Sequence, residues 1–290
     1  MCVTPTKQEE ATNDLIKTFE TRDSDVFVCT FVKSGTTWTQ QIITLLLNEG
    51  EPSDKNYTEV IPWLESLTFK DVREEAPELH REAKNWTLDA LRSTADRRFM
   101  KTHANLKDLP AGAARGLKVI YVARNPKDVC VSLFHHASNK PRDAFVGDFS
   151  DMLGCFVKGS RCNNGSWFNH VLEWWEAANA DPQHVLFLTY EQMLADPEEQ
   201  IRKIADFAGI VCTAETLAKA SATLAGSTLA AMQSNPKANI YGAARHLRKG
   251  GAGGWRDMFT VRESQAFDDI YRQQMKGASL KMDFGEGLVM

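Results

Sequence analysis

The sequence predicts a single α/β domain with a central parallel sheet flanked by helices. Two observations lead there. Short apolar runs rich in β-branched and aromatic residues (25–32, 117–124 and 184–190) lack the polar alternation of a half-exposed strand, so they read as strands covered on both faces. Between and after them lie segments of helical periodicity, and no repeat or Pro/Gly/Ser linker divides the 290 residues.

Taken in order, the first strand (25–32, DVFVCTFV) runs into Lys-Ser-Gly-Thr-Thr and then a helical stretch that stops at Gly50. A shorter run, 97–102 (RRFMKT), reads as a second strand. The third, 117–124, ends at Arg124, and Asn125-Pro126 opens a helix that carries Ser132. Segment 139–166 mixes charged residues, Gly and Asn with isolated Phe145, Phe149 and Phe156, and is expected to form a partly helical lid. The next helix is expected to bury Val171, Trp174 and Trp175, and strand 184–190 follows. The helix after it has Pro197 in its first turn, Glu198 and Glu199 at its positive end, and Gly209 as its cap. Ligands in such sheets bind beyond the carboxyl ends of the strands. The expected organisation is one domain over 1–290, with an extension at 1–24, the lid at 139–166 and a basic glycine loop at 245–260.

The net charge of −4 provides no overall basic field, so neither nucleic acid nor membrane is an expected partner, and any anion site must be built locally. The first residues lack the apolar core of a signal peptide, and no apolar run approaches the roughly 20 residues of a membrane span, so the expected location is cytoplasmic. Six scattered cysteines form no C-x-x-C pair, which argues for reduced thiols and against a metal site.

In KSGTT, Gly35 permits close backbone approach, Ser34, Thr36 and Thr37 offer hydroxyls, and Lys33 adds a point charge at a helix start whose first amides suit an anion. The Walker A pattern G-x-x-x-x-G-K-[ST] is absent, and these five residues alone read equally well as a capped helix start. Arg124 at the end of a strand can clamp a phosphate or simply pair with Asp128. Arg245, Arg248 and Lys249 stand beside Gly250, Gly251, Gly253 and Gly254, a basic loop whose amides can wrap a phosphate.

Together KSGTTW, KTH (101–103), YVARNPKDVCVS, GSWFNHVLEWWE (165–176), TYEQMLADPEEQIRKIADF and RKGGAGGW (248–255) resemble the cytosolic sulfotransferases in order and spacing. The resemblance implies a P-loop-like α/β domain with a central parallel sheet, 3′-phosphoadenosine 5′-phosphosulfate (PAPS) as donor, 3′-phosphoadenosine 5′-phosphate (PAP) as product, no metal, and a small-molecule acceptor. It assigns Lys33 and the amides of Ser34, Gly35, Thr36 and Thr37 to the 5′-phosphosulfate, and Trp38 to the adenine face. Arg124, Ser132, Arg248, Lys249 and Gly250 fall to the 3′-phosphate, and Tyr190, Ser227 and Leu229 to the surroundings of the base. Lys33, Lys101 and Ser132 belong to the catalytic set with His103, which matches the family's general base.

That assignment suits the chemistry. Charge grows on a leaving phosphate oxygen during transfer, where cations contribute most, and a histidine titrates near neutrality. The rival readings are a nucleotide-binding protein without turnover and a P-loop kinase. Retention of Lys33, Lys101 and His103 weighs against the first, and the missing Walker A lysine against the second. Several departures from the family stand out: Val32 for proline, Ala104-Asn105 for Leu-Pro, Leu229 for an aromatic, and Gly254 for aspartate, which predicts a more mobile loop at 251–254. Segment 256–265 only partly matches the dimerisation segment of animal relatives, so a homodimer is left open. Trp63, Asn105, Phe134, His135 and His136 are expected to wall the acceptor pocket, and their polarity predicts an acceptor more polar than a steroid or simple phenol.

Overall fold

Strands β1 (Val26–Thr30), β2 (Phe99–Thr102), β3 (Lys118–Ala123) and β4 (Val185–Thr189) form one parallel sheet in the order β2-β1-β3-β4. The computed structural model describes residues 14–68, 86–110, 116–139, 145–160, 164–226, 251–285 and 287–290. All four expected strands are present, each shorter than its apolar run. The lost end residues include Phe31, Arg124 and Tyr190, where the chain leaves the sheet for the ligand side.

Side chains alternate across the sheet, which explains why the runs are apolar throughout. Phe27, Cys29, Val119 and Tyr121 point into one buried cluster, while Val26, Val28, Ile120 and Val122 point into another. The helices divide between these faces. In chain order they are α1 (Thr36–Leu47), α2 (Tyr57–Val60), α3 (Leu88–Ser93), α4 (Pro126–Ser138), α5 (Phe149–Val157), α6 (Trp167–Ala180), α7 (Tyr190–Ala195), α8 (Pro197–Ala208), α9 (Ala214–Gly226) and α10 (Val261–Gln274). The first cluster takes the apolar faces of α4, α5, α6 and α10; the second takes those of α1, α8 and α9. None of the described helices is long and apolar enough to cross a membrane.

Local signals set the helix ends. Asn125 caps α4 by accepting from the amides of Lys127 and Asp128, with Pro126 at the first position. Asp196 caps α8, and Gly209 ends it at φ 64°. Two expectations change. In α6, Val171 and Trp174 are fully buried but Trp175 is only half-buried: it lies at the rim of the cluster, edge-on to Phe187 at 5.1 Å, with its Nε1 donating to Ser279 at 3.2 Å. The buried neighbours are Trp167, Phe168 and His170. In the 139–166 segment, Phe145, Phe149 and Phe156 are all buried, and α5 docks through Phe149, Met152 and Phe156. Those aromatics anchor the segment to the core, which runs against a freely lifting lid.

At the amino end of the sheet, away from the ligand side, Asp25 and Arg98 form a buried two-pronged ion pair. Arg98 Nε lies 2.8 Å from Asp25 Oδ1 and its Nη2 2.5 Å from Oδ2, with the guanidinium over Phe19 at 5.0 Å. Both side chains are almost fully buried. Asp25→Ala leaves an uncompensated buried cation and should cost about 3–5 kcal/mol. Urea denaturation checks this; a loss below about 1 kcal/mol would show that the pair does not join the strands.

Candidate active site

The loop after β1 begins with Phe31 and reaches α1 through two left-handed residues, Lys33 at φ 68° and Gly35 at φ 108°. A left-handed lysine is uncommon, and such backbone strain gathers at ligand-binding turns. Gly35 is required by a close approach: a Cβ there would lie 2.8 Å from the Tyr190 ring. The small residue thus makes room for a side chain of the protein itself, a partner the sequence did not suggest. The Ser34 amide donates inside the loop to Phe31 O at 3.2 Å, so it is not among the amides that face outward. The first intrahelical bond runs from Thr39 N to Gly35 O, which leaves the preceding first-turn amides at the positive end of α1. The buried hydroxyl of Ser34 has no hydrogen-bond partner among the described residues.

The base expected from the sequence lies directly across the sheet edge. Parallel register pairs Cys29 with Thr102, so the following residues, Thr30 and His103, are neighbours. His103 Nδ1 is 2.9 Å from Thr30 O and 3.2 Å from Thr30 Oγ1, which in turn lies 2.6 Å from Thr36 Oγ1. A carbonyl can only accept, so Nδ1 carries the proton and Nε2 the lone pair. Burial, then the nearby Lys101 ammonium, lowers the His103 pKa to about 3, so the imidazole is neutral. Trp63 joins this group: its ring meets His103 edge-on at 5.9 Å, with Lys101 Nζ over it at 4.7 Å.

Behind His103 a second histidine closes a relay. His170 Nε2 donates to His103 O at 3.1 Å, and Tyr121 OH lies 2.8 Å from His170 Nδ1. His170 is fully buried, with its pKa lowered to about 4 by desolvation. It is packed against the rings of Phe31 and Tyr121.

Arg124 joins two loops. It donates to Lys33 O at 3.4 Å and Gly251 O at 2.9 Å, and lies 4.4 Å over the Tyr190 ring; its buried Nε has no partner among the described residues. Trp38 meets the same Tyr190 ring edge-on at 5.3 Å. Arg124 does not pair with Asp128. Asp128 accepts instead from the amides of Gly253 and Trp255, both at 2.8 Å, while the fully buried Lys127 binds Asp268 at 2.6 Å and lies 4.1 Å over Trp255. The glycine loop is therefore tied down by carboxylate–amide bonds, contrary to the looseness expected from Gly254.

Other expected residues are less convergent. Ser132 is half-buried on α4, and Phe134 packs on Phe145 and Phe149 with His135 beside it. His136 is half-buried in the last turn of that helix. Asn105 does not present a bare amide to a pocket, because its Nδ2 donates to Asp108 at 3.1 Å. Ser227, Leu229, Arg248, Lys249 and Gly250 lie outside the described residues.

The sequence reading missed Thr30, Glu65, Asp128 as a loop anchor, and Glu191. Glu191 is buried beneath Asn125 and accepts its amide at 3.0 Å. Burial lifts its pKa from 4.5 to about 7. The folded state thus holds the proton longer than the unfolded state, so the group's penalty grows as pH rises from about 4.5 to about 7 and levels off above that. Glu191→Gln keeps an acceptor without the charge. It should stabilise the protein by about 1–3 kcal/mol more at pH 8 than at pH 5. Denaturant melts at both pH values test this, and an equal effect at the two would refute it.

The geometry brings a hydroxyl-lined helix start, three cations and a neutral histidine to one sheet edge. The sulfotransferase domain model matches residues 23–279. Sulfotransferase 1B1 of dog is 32% identical over 92% of this chain and 88% of its own length. Human sulfotransferase 2B1 is 34% identical over 90% of this chain and 68% of its own. Among solved structures, retinol dehydratase with retinol and PAP superposes with a TM-score of 0.79 at 26% identity, covering 96% of this chain and 88% of that one. Mouse sulfotransferase SULT7A1 with PAP gives 0.73 at 28%, covering 93% and 91%. By the span of the family match and the identity of its relatives, this chain belongs to the sulfotransferase family.

Proposed function

We propose that the protein transfers the sulfuryl group of PAPS to a hydroxyl or amine of a small molecule, with His103 as general base. Lys33 and Lys101 stabilise the leaving phosphate. The observation that carries this reading is the fixed tautomer of His103: the Thr30 carbonyl holds the proton on Nδ1, so Nε2 is ready to take the acceptor's proton. PAP bound in two similar structures supports the choice of donor.

The donor supplies an electrophilic sulfuryl group on a phosphate leaving group. Lys33 and the first-turn amides of α1 hold that phosphate, with the buried Ser34 hydroxyl as a polar atom that an anion would satisfy. Arg124 and Ser132, joined by Arg248, Lys249 and Gly250, take the 3′-phosphate. Trp38 and Tyr190 flank the base, with Ser227 and Leu229 nearby. Lys101, held on the face of Trp63, is aimed where charge grows. Burial first, and then the charges of Lys101 and Lys33, make His103 a weak base. Anionic charge placed beside the two lysines offsets their part of that effect and raises its pKa.

For the acceptor, the wall beside His103 is the Trp63 ring and the buried Ala104, and the Asn105 amide is already paired. This favours an apolar body carrying one hydroxyl over the strongly polar acceptor that the sequence suggested. Retinol and androsterone are the ligands of two similar structures. A homodimer belongs to the same proposal: Val261, within the partly matching segment, is 75% exposed at the start of α10.

His103→Ala should lower turnover by about 10²- to 10⁴-fold while PAP affinity stays within about threefold. Near-normal turnover would remove His103 from the mechanism, and a parallel loss of PAP binding would make its role structural. By calorimetry PAP should bind at least about tenfold more tightly than ADP, because a charge-assisted contact contributes roughly 1.5–3 kcal/mol. Equal affinities would restore the kinase reading.

A further inference from the structure

Residues 62–66 lie alongside the end of β2. Lys101 N donates to Pro62 O at 2.8 Å, and Trp63 pairs with Lys101 as a parallel bridge. That register carries Glu65 to the point where strand becomes loop. Its Oε1 accepts from Thr102 Oγ1 at 2.9 Å and from His103 N at 2.6 Å, and Thr102 Oγ1 accepts from Ala104 N at 3.0 Å. One buried carboxylate thus closes the turn on which His103 sits.

The other polar groups of His103 are held from elsewhere. Its carbonyl accepts from His170, and its ring nitrogen donates to Thr30. Farther along, Glu173 of α6 accepts from the amides of Leu106 at 3.3 Å and Lys107 at 3.2 Å. Among the described residues, Glu65 alone bonds the backbone amide of His103 itself. Burying a carboxylate is costly unless it is paired and hydrogen-bonded, and desolvation does raise its pKa. The two donors and the nearby Lys101 oppose that shift. The same arrangement makes Glu65 a counter-charge to Lys101.

We infer that Glu65 is a positioning residue for the transfer step: it fixes the backbone of His103 so that the imidazole stays on Thr30 with Nε2 toward the acceptor. The inference rests on the reading of His103 as the base. No motif of the family resemblance contains Glu65, and its bonds to Thr102 and His103 reach no residue assigned to the nucleotide.

Glu65→Ala should lower kcat by about 10- to 100-fold, the scale of a small misplacement of a reacting group, while the Kd for PAP changes less than about threefold. Glu65→Gln keeps the accepting oxygen and should restore kcat to within about tenfold of wild type. Nitrogen-15 spectra of labelled histidine should show His103 as a single Nδ1–H tautomer in the wild type and as a mixture in Glu65→Ala. Thr102→Val removes one arm of the contact without emptying the space. It should give a smaller loss of the same kind, and it carries the test if Glu65→Ala fails to fold. Unchanged kcat and unchanged His103 signals in Glu65→Ala, or in Thr102→Val in its place, would overturn the inference, as would equal losses of kcat and PAP affinity. Full activity in His103→Ala would instead overturn the base assignment, since the nitrogen spectra report on Glu65 whatever His103 does in the reaction.

Discussion

The parallel register of β1 against β2 sets Thr30 beside His103, and the 2.9 Å contact between the Thr30 carbonyl and His103 Nδ1 turns that register into chemistry. Thr30 is also the last residue of the strand before the KSGTT turn, and its hydroxyl meets Thr36 at the start of α1. A shift of one residue would turn every side chain of β2 to the opposite face and separate the histidine from the turn. The buried ion pair between Asp25 and Arg98, at the other end of the same two strands, helps to fix that register.

A division of labour runs through the charged groups of the site. Carboxylates hold backbone: Glu65 the amide of His103, Glu173 those of Leu106 and Lys107, Asp128 those of Gly253 and Trp255, Glu191 that of Asn125. Each accepts from amides that loops leave unsatisfied, a use suited to an acceptor-only group. Lys33 and Arg124, by contrast, stand at the edge where an anion would be received. A chain with a net charge of −4 can thereby bind a polyanion, because its acidic groups near the site are turned into scaffold.

Lys127 is the exception that shows why the loop is firm. Its ammonium is fully buried, bound to Asp268 and surrounded by Trp255, Phe259, Phe267 and Phe284. With Asp128 next to it, the first turn of α4 thus grips the C-terminal segment by charge and by aromatic faces at once. Substitution of glycine at position 254 removes a side chain but none of these bonds.

The sequence by itself determined the architecture and singled out the candidate reacting groups. Uninterrupted apolar runs imply a sheet covered on both faces, and KSGTT, Arg124 and His103 stand at the ends of such runs, where ligands bind. Capping signals are equally local, so Asn125, Pro197 and Gly209 could be placed from their neighbours alone. Only the tertiary structure decided which groups hold those residues in place. Glu65, His170 and Glu173 lie tens of residues from the turn they brace; the last two fall within a motif of the resemblance, yet nothing local assigns any of the three to that turn. Asn105 reads as a polar group of the pocket until its Nδ2 is seen to donate to Asp108, and Trp175 reads as core until the fold sets it at the rim against Phe187 with its Nε1 on Ser279. Local periodicity reports which surface is buried; hydrogen-bond partners across the sheet are settled only when the strands come into register.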